Sequence, residues 1–590
     1  MTGEAVLGVE RSLLGRRWRE RSGEDRAGLA IAQRLGLPEI VGRLLARRGV
    51  APDEAERFLN PLLRDVLPDP SDFKDMDLAI ARIVAAVEGR ETIAVFGDYD
   101  VDGATSAALL KRFLGAAGTR VAIYVPDRQR EGYGPNAPAL LRLKDEGASL
   151  VVTVDCGIAA HAPLAAAAEA GLDVIVVDHH VAEPLLPRAV AVVNPNRLDE
   201  TSPHRALAAV GVVFLLVVGV NRALRRAGWY ANRREPDLMA WLDLVALGTV
   251  CDVVPLTGLN RALVTQGLKV MRQRGNPGLA ALADVAKVSE PLGAYHAGFI
   301  LGPRVNAGGR VGAADLGARL LSSDDAGEVR VLAQQLDAHN AERRDIEARV
   351  LAQAVAQVEG GGAGQALLFV AGEGWHPGVV GIVASRLKDR YNRPACVVAM
   401  EGAIGRGSGR SVSGLALGPA VIAARQAGIV SHGGGHAMAA GFTVAADRLL
   451  ELRDFLEARA FEALGAEAPM PELSIDGALT AAAATAGLAE LVERIGPYGT
   501  GNPEPRFVLP QLRVLRADVV GGAHLRLILA DGAGAGRVKA IAFRSVDGPL
   551  APALLNSGGR AFHVAGHLRA DRWQRREGVQ LLVDDAALAT

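Results

Sequence analysis

Five short apolar runs between residues 92 and 194 alternate with helical patterns. Each run is apolar throughout rather than at alternate positions, as expected for strands that are covered on both faces of a sheet. Strands that alternate with helices in this way form parallel sheets. The pattern therefore predicts an α/β domain with a parallel, doubly wound sheet. The runs are TIAVF (92–96), RVAIYV (120–125), LVVTV (150–154), DVIVV (173–177) and VAVVN (190–194).

A long helical pattern without proline lies between residues 320 and 360. Apolar residues such as Val329, Leu336 and Val350 recur at helical spacing with charged residues between them. A helix of about 35 residues would extend over roughly 50 Å, so we interpret this segment as a connection between two lobes. Two shorter helices that meet near residues 339–340 are the alternative.

The remaining patterns complete a division into five segments. Strands, helices and glycine-rich loops from 361 to 465 predict a second, smaller α/β domain, whereas short strands with glycine turns from 470 to 590 predict a barrel such as an OB-fold. The arginine- and proline-punctuated residues 1–75 predict an extension that packs on the next domain of the chain. With the parallel-sheet domain at 76–319 and the connecting helix at 320–360, the fold class is α/β with a C-terminal β-barrel.

The charge is balanced, with 65 basic and 66 acidic residues. This balance does not exclude a nucleic-acid partner, because opposite charges can be segregated into separate patches. The basic residues are almost all arginine, which agrees with a GC-rich genome and also suits phosphate recognition. Three cysteines without paired spacing, no signal peptide and no apolar run of roughly 20 residues lead us to expect a cytoplasmic protein without a membrane span.

Three carboxylates are crowded into the motif FGDYDVDG, directly after the first strand. Asp98, Asp100 and Asp102 would repel one another unless a cation neutralises them, and carboxylate oxygens suit Mg²⁺ or Mn²⁺. The same spacing opens an EF-hand loop. That loop needs a preceding helix and a glutamate at its twelfth position, where this chain has Leu109. A metal site at a strand end is therefore favoured over an EF-hand.

Further acids and histidines come directly after later strands of the same predicted sheet. Asp155 ends the third strand in VDCG, and Asp178, His179 and His180 end the fourth. Ligands of open α/β sheets bind beyond the carboxyl ends of the strands, so we expect these side chains to meet the aspartate motif. Asp252 of GTVCD would close the site. The pattern predicts two divalent cations, Mn²⁺ or Mg²⁺, roughly 3.5–4 Å apart.

Two glycine-rich loops of the second domain, GRGSGRS (405–411) and HGGGH (432–436), place small residues where a backbone can approach an anion. Plain turns are the alternative. Neither stretch continues into the GK[ST] of a Walker A loop, so nucleoside triphosphate hydrolysis is disfavoured. In the barrel, GHLRADRWQRREG (566–578) surrounds a tryptophan with arginines, which agrees with single-strand binding by OB-folds and equally with a solvated edge hairpin.

In type and order, DYDVDG, the VDCG aspartate, the DHH triplet and the GTVCD aspartate resemble the four motifs of the DHH phosphoesterase superfamily. Within that superfamily the chain is similar to the RecJ single-stranded-DNA exonucleases. The similarity begins near residue 50 and reaches into the barrel. The motifs that carry it are LGPRVNAGGR (301–310), GWHPGVVGIVASRL (374–387), GSGRS (407–411), GGGHAMAAGF (433–442) and GNPEPRF (501–507).

The resemblance implies a role for each acidic motif. It makes six side chains metal ligands, namely Asp98, Asp100, Asp102, Asp155, His179 and Asp252. Asp155 would bridge the two cations, Asp102 and Asp155 would take part in catalysis, and the catalytic His180 would lie near the scissile phosphate. Smaller superfamily members have a histidine where this chain has Asp98.

The same resemblance implies that a DHHA1 lobe binds substrate across the cleft and that an OB-fold holds single-stranded DNA. A buried position is the alternative for Trp375. The resemblance further implies 5′→3′ hydrolysis to 5′-mononucleotides in DNA recombination and repair, by a monomer that works with single-strand-binding protein and a RecQ-type helicase. The substrate-binding candidates are Arg304, Asn306, Arg310, Trp375, His376, Arg406, Ser408, Arg410, Gly434, His436 and Trp573.

Two other functions are less consistent with this chain. A DHH phosphodiesterase for very short oligonucleotides or cyclic dinucleotides is disfavoured by the length of 590 residues and by the additional barrel. A non-catalytic scaffold of the type found in replication helicase complexes would have lost metal ligands, whereas every expected acid is present here. The sequence therefore favours a single-stranded-DNA exonuclease.

Overall fold

The computed structural model describes residues 4–128, 130–361, 365–465, 470–532, 536–571 and 578–589. Four β-sheets form within these ranges. The chain begins with a short strand and three short helices, which are β1 (Arg17–Glu20), α1 (Asp25–Leu35), α2 (Glu39–Ala46) and α3 (Ala55–Leu59).

These first elements pack chiefly on the C-terminal barrel, whereas Leu63 and Phe73 pack in the core of the domain next in sequence. The expectation for residues 1–75 is therefore corrected for the part up to α3 and holds for the part after it. Strand β1 pairs in parallel with Glu472–Ile475. Leu44 and Leu45 of α2 share a hydrophobic core with barrel residues such as Phe507. A segment this short cannot bury enough apolar surface on its own, so its hydrophobic side chains complete the core of the barrel.

A parallel five-stranded sheet forms the first lobe, as predicted. Its elements are α4 (Met76–Glu88), β2 (Ile93–Gly97), α5 (Val101–Ala116), β3 (Val121–Tyr124), α6 (Ala137–Asp145), β4 (Leu150–Val154), α7 (His161–Glu169), β5 (Asp173–Val177) and β6 (Ala191–Val193). The strand order is β3-β2-β4-β5-β6, and every pair is parallel. All residues of β2 and β4 are buried, which explains why their sequences are apolar without alternation.

Helices complete this lobe. They are α8 (Ala209–Arg226), α9 (Leu242–Cys251), α10 (Gly258–Arg272), α11 (Pro277–Val285), a π-helical turn (His296–Leu301), α12 (Gly302–Val311) and α13 (Leu316–Ser322). The strongly apolar α8 is surrounded by α4, α5 and α9, so its composition reflects burial in the protein core. Among the described residues, no helix combines the length and the hydropathy that a membrane span requires.

One long helix, α14 (Ala326–Gly360), connects the two lobes. It is continuous through residues 339–340, so the alternative of two shorter helices is wrong. It begins at Ala326 rather than at 320, and the Asp325 side chain caps it by accepting a hydrogen bond from the backbone of Glu328. Leu336 packs in the core of the first lobe and Val350 in that of the second. The helix thus contributes to both hydrophobic cores.

The second lobe has a mixed five-stranded sheet. Its elements are β7 (Leu368–Glu373), α15 (Val380–Tyr391), β8 (Ala395–Glu401), β9 (Ile404–Arg410), α16 (Leu417–Gln426), β10 (His432–His436), β11 (Ala439–Ala445) and α17 (Leu449–Leu464). The order is β10-β11-β9-β8-β7, with only the β7–β8 pair parallel among these described strands.

Both glycine-rich stretches of this lobe are strands, β9 and β10, which corrects the expectation that they are loops. A Cβ atom at Gly407 would lie 2.1 Å from the Phe442 ring, and one at Gly409 would lie 2.5 Å from Leu417. Glycine is therefore required on the core-facing side of β9 by close packing, and its position in the sequence does not indicate a turn.

The C-terminal elements include the strands of a small closed barrel. They are β12 (Glu472–Ile475), β13 (Gly477–Ala478), α18 (Ala486–Glu493), β14 (Phe507–Val520), β15 (His524–Ala530), β16 (Arg537–Ala542), α19 (Leu550–Leu555), β17 (Ala561–Asp571) and β18 (Gly578–Leu588). The order β14-β15-β16-β18-β17 is closed by pairing between β14 and β17. This is the five-stranded topology of an OB-fold.

Arg261 of α10 fixes the barrel and the N-terminal segment to the first lobe. Its buried guanidinium donates to the carbonyl oxygens of Phe58 and Ile495, at 3.0 and 2.8 Å. It also lies 3.9 Å from the centre of the Phe58 ring. Burial lowers the pKa of Arg261 to about 10, which still leaves it charged at neutral pH. One side chain therefore holds three parts of the chain together.

We predict that Arg261→Met destabilises the protein, because the carbonyl oxygen of Phe58 loses its donor and that of Ile495 keeps only the donor from Asn502. A buried polar group without a partner costs about 1–3 kcal/mol, so the midpoint of urea denaturation should fall measurably. The exposed Arg234→Met is the matched control and should leave the midpoint unchanged. Equal midpoints for the two variants would show that Arg261 does not hold the interface.

Candidate active site

The carboxyl ends of three parallel strands meet the end of α9 at one edge of the first sheet. Asp98 comes after β2, Asp155 after β4 and His179 after β5, while Asp252 comes directly after α9. His179 Nε2 lies 3.3 Å from Asp155 Oδ1 and 3.7 Å from Asp252 Oδ2. The structure thus brings together side chains that the sequence places after separate elements.

These side chains form adjoining groups. Within each group the potential ligand atoms all lie within 4.8 Å of one another. Asp155 and His179 each belong to two groups, so the groups are parts of one site. The groups are Asp98 with Asp100 and Asp155; Asp102 with His179 and Asp252; and Asp155 with His179 and His180.

Four atoms of this site are buried without a hydrogen-bond partner in the described part of the chain. They are Asp98 Oδ1, Asp155 Oδ1, His179 Nε2 and Asp252 Oδ2. Buried polar atoms in native proteins are almost always paired, so four such atoms in one site indicate a missing partner. Carboxylate oxygens and an imidazole nitrogen share one property, which is the ability to donate a lone pair to a cation.

The pKa values of the site also indicate that a cation is needed. Burial and the charge of Asp100 raise the pKa of Asp98 to about 8 and that of Asp252 to about 7. Burial, with the charge of His180, lowers the pKa of His179 to about 4. The imidazole of His179 is therefore neutral at pH 7. Ionised carboxylates at this density are unfavourable until a positive charge joins them.

Asp102 is held differently from the other acids. Its carboxylate is fully buried and accepts hydrogen bonds from the backbone N–H groups of Ala209 and Val210, at 2.6 and 2.9 Å. These donors lie in the first turn of α8, where the helix dipole also stabilises negative charge. A Cβ atom at Gly248 would lie 3.2 Å from Asp102 Oδ1, so a glycine lets α9 approach the carboxylate.

Asp178 orients His180 and does not belong to the three groups of potential metal ligands. Its Oδ1 lies 2.7 Å from His180 Nδ1 and accepts from the backbone N–H of His179 at 2.7 Å, while Oδ2 accepts from Ile158 at 3.1 Å. Burial alone would lower the pKa of His180, but the hydrogen bond and charge of Asp178 raise it to about 9. Asp178 thus favours the imidazolium form of His180.

Asp155 also occupies an unusual backbone conformation. Its φ of 60° lies in the left-handed region, which costs an L-residue roughly 1–2 kcal/mol. Val253, next to Asp252, has a φ of 63°. Strained residues of this kind persist where the surrounding structure fixes them, and they cluster at functional sites.

Comparisons with known proteins agree with this geometry. The sequence profile of the DHH family, N-terminal domain, matches residues 92–249, that of the DHHA1 domain matches 364–461, and that of the RecJ OB domain matches 475–585. A single-stranded-DNA-specific exonuclease RecJ from Dickeya dadantii is 39% identical over 93% of this chain and 96% of its own length. The chain belongs to the RecJ family.

Other RecJ proteins support the same membership. The single-stranded-DNA-specific exonuclease RecJ of Escherichia coli is 36% identical over 93% of this chain and 96% of its own length. The crystal structure of RecJ in complex with Mn²⁺ from Thermus thermophilus matches with a TM-score of 0.78 and 30% identity, over 96% of this chain and 79% of that one. Both the predicted family and the predicted fold class are confirmed.

Helix α12 carries the first RecJ-type motif and connects the active site to the DHHA1 lobe. A Cβ atom at Gly309 would lie 2.8 Å from the carbonyl oxygen of Tyr99, inside the aspartate motif. The partly buried Arg310 donates to the carbonyl oxygen of Gly378 at 2.7 Å, and desolvation lowers its pKa to about 10. Arg310 therefore lies where the two lobes meet the active site.

The other two candidates on α12 have different surroundings. Arg304 pairs with Asp337 of α14 at 2.9 Å and donates to the carbonyl oxygen of Ile300 at 2.7 Å. Its position fits a structural link to the long helix, and its contact with DNA stays a prediction. Asn306 is half-buried.

Trp375 is a core residue, which contradicts its expected place beside an entering strand. Its ring is 6% exposed and packs with Val350 of α14, and its Nε1 donates to Gln353. The indole is thus unavailable for base stacking. His376 is half-buried next to it, and its Nδ1 accepts a hydrogen bond from Gly378 at 3.0 Å.

The polar residues of β9 face the start of α15. Arg410 donates to Ser408 Oγ at 3.1 Å, and a Cβ atom at Gly381 would lie 3.0 Å from the same oxygen. Arg406 is exposed further along the strand. The open N-terminal turn of α15 adds backbone donors to this surface, which makes it suitable for an anion.

The remaining candidates lie at an edge or outside the described residues. Gly434 and His436 are on β10, the edge strand of the DHHA1 sheet. No described atom lies within 4 Å of a Cβ placed at Gly434, so the strand is open there. Trp573 lies outside the described residues. The neighbouring Arg569 pairs with Glu504 at 3.2 Å.

Two residues near the active site were not identified from the sequence. Tyr133 Oη donates to the carbonyl oxygen of Asp155 at 3.2 Å and lies 3.4 Å from His180 Nδ1. The guanidinium of Arg128 lies 4.8 Å from the centre of the Tyr99 ring. Both come after β3, whose end carries no acidic motif. The only feature of the sequence that pointed to them was their place in a loop after a strand of the same sheet.

We predict that Asp98→Asn stabilises the protein at high pH in EDTA. The folded protein keeps a proton on Asp98 up to about pH 8, whereas the unfolded chain loses it near pH 4. The stability of the wild type therefore falls as the pH rises through this interval. The variant lacks this loss. The Tm of the variant minus that of the wild type should therefore be larger at pH 9 than at pH 5, by about 2 °C or more.

The exposed Asp145→Asn is the control for the change of charge, and its Tm difference should not depend on pH. If Asp98→Asn and Asp145→Asn gave the same pH profile, Asp98 would not be a buried, proton-retaining carboxyl group.

Proposed function

We propose that this protein is a metal-dependent exonuclease that degrades single-stranded DNA in the 5′→3′ direction to 5′-mononucleotides, in DNA recombination and repair. The observation that carries the proposal is the set of four buried, unpaired ligand atoms at the strand ends within the described chain. It is supported by the relatives that are named single-stranded-DNA-specific exonuclease RecJ.

The donor set fits two divalent cations. Asp98, Asp100 and Asp155 would hold one of them, while Asp102, His179 and Asp252 would hold the other together with Asp155. Divalent cations at such a site supply a water of lowered pKa and neutralise the charge of the phosphate. RecJ from Thermus thermophilus has been solved in complex with Mn²⁺ and with Mg²⁺, which supports these two ions as the candidates.

The side chains of the protein position the phosphodiester. Nδ1 of His180 is engaged by Asp178, so Nε2 is the ring atom left to donate a hydrogen bond to a phosphate oxygen. Tyr133 donates to the backbone of Asp155 and lies 3.4 Å from the same Nδ1 of His180. Arg310, at the junction with the DHHA1 lobe, adds positive charge where the strand end would lie.

We propose a role for three of the five segments. Residues 76–319 would be the catalytic domain, 361–465 the substrate-binding DHHA1 domain and 470–590 the single-strand-binding domain. Ser408 and Arg410 would bind a phosphate of the strand with the first turn of α15. We also propose a cytoplasmic monomer that receives its substrate through single-strand-binding protein and a RecQ-type helicase.

The substrate class can be tested with end-labelled single strands, duplexes and dinucleotides in Mn²⁺, in Mg²⁺ and in EDTA. We expect mononucleotides from the single strand in either ion, much slower cleavage of the duplex and no cleavage in EDTA. A strand labelled at its 5′ end should release its label first. Equal cleavage of the duplex, cleavage of dinucleotides alone or release from the 3′ end would contradict the proposal.

Asp155→Ala should abolish turnover, because Asp155 is shared between two groups of ligand atoms. We expect a loss of at least about 10³-fold, comparable with the loss of other groups that stabilise a transition state. Circular dichroism and the Tm should show an intact fold. Activity near that of the wild type would refute the assignment, and the control Asp145→Ala should retain full activity.

A further inference from the structure

A large cleft separates the first lobe from the barrel and begins beside the active site. Its volume is about 1030 Å³, and Cys251 and Val253, the two neighbours of Asp252, belong to its lining. Its far wall is the barrel segment 492–504. Pockets for small molecules measure roughly 300–1,000 Å³, so this cleft has the volume of a large ligand site.

A backbone hydrogen bond at this cleft connects the first lobe with the barrel. The backbone N–H of Leu256 donates to the carbonyl oxygen of Thr500 at 2.7 Å. Both residues belong to the lining of the cleft. The bond therefore fixes the barrel segment against the first lobe close to the active site.

Tyr295 and Phe299 line the same cleft, Phe299 on the π-helical turn that precedes α12 and Tyr295 directly before that turn. Tyr295 is 55% exposed and Phe299 71% exposed, although large apolar side chains are normally buried. Their rings are stacked, with centroids 5.3 Å apart and an angle of 27° between the planes. Two exposed, stacked rings offer a flat apolar surface to a ligand.

The π-helical turn next to these rings packs against α9, the helix that directly precedes Asp252. A Cβ atom at Gly298 would lie 3.3 Å from Val250, and the Cys251 thiol lies 3.4 Å from the carbonyl oxygen of Ala297. At the start of the turn, His296 accepts a hydrogen bond from Gly293 at 3.1 Å through Nδ1. The rings are therefore held in a defined position relative to Asp252.

The charge of the lining favours a polyanion. Lys269, Arg272 and Arg494 line the cleft and are exposed. Two acids, Glu493 and Glu504, also line it, and Glu504 pairs with Arg569 of the barrel at 3.2 Å. Exposed aromatic rings combined with a basic groove are the features by which proteins bind single strands irrespective of sequence.

We propose that Tyr295 and Phe299 form a base-stacking platform for the undegraded part of a single DNA strand, between the active site and the barrel. This inference rests on the proposed function, because it concerns the strand that the active site cleaves. Every base has an apolar face that can stack on such rings. The platform would thus hold the strand in line with the active site without selecting a sequence.

The test compares the full-length wild type with the double variant Tyr295→Ala/Phe299→Ala. On a single strand of about 20 nucleotides, longer than the site size of one OB-fold, we expect KM to rise about tenfold and kcat to change less than twofold. The KM for a dinucleotide should stay unchanged, because it does not reach the platform. Tyr295→Phe/Phe299→Trp should behave as the wild type, since both rings are retained.

Phe461→Ala is the matched control, because Phe461 is 55% exposed on α17, away from the cleft lining. In a second measurement, 2-aminopurine in the strand should lose fluorescence on binding to the wild type in EDTA, and this loss should disappear in the double variant. An unchanged KM for the long strand would overturn the proposal, as would an equal rise for the dinucleotide. If the wild type quenched the probe but cleaved no single strand, the proposed function would fail while the platform would stand.

Discussion

The burial of several acidic side chains at one edge of a parallel sheet is the constraint on which the active site depends. Each strand end contributes only a few polar residues, but parallel pairing brings them within a few ångströms. Their mutual repulsion and desolvation are unfavourable, so the surrounding structure must hold them in place. The first turn of α8 binds Asp102, and the ring of His180 binds Asp178. The remaining unpaired atoms define where a cation would complete the site.

Several contacts fix the second lobe against the first. The proposed binding of a substrate phosphate from across the cleft would require a fixed distance between the lobes. Helix α14 is packed into both cores, Arg310 reaches from α12 to Gly378, and Glu347 of α14 pairs with Arg386 of α15 at 3.3 Å. These contacts fix the position of the surface around Ser408 and Arg410 relative to the carboxyl ends of the strands in the first lobe.

The sequence predicted the elements whose signals are local. The strands of the first lobe have apolar runs of their own, and their polar ends identified the acids that meet there. Features that depend on distant packing were missed or misjudged. Gly407 and Gly409 resembled a loop because the side chains that exclude a Cβ, Phe442 and Leu417, belong to other elements. Likewise, nothing next to Trp375 in the sequence showed that α14 would cover its ring.

The packing of the barrel shows why the domain boundaries inferred from the sequence differ from those seen in the structure. The N-terminal segment lies far from the barrel in sequence, yet Trp18 and Ser12 both donate to the buried Asp585 carboxylate, at 3.2 and 2.6 Å. Further along the segment, the carbonyl oxygen of Phe58 accepts a hydrogen bond from Arg261 of the first lobe. The N-terminal segment up to α3 therefore completes the barrel core and also links it to the first lobe. Since the barrel forms the far wall of the cleft beside Asp252, the width of that cleft depends on a segment without any catalytic motif.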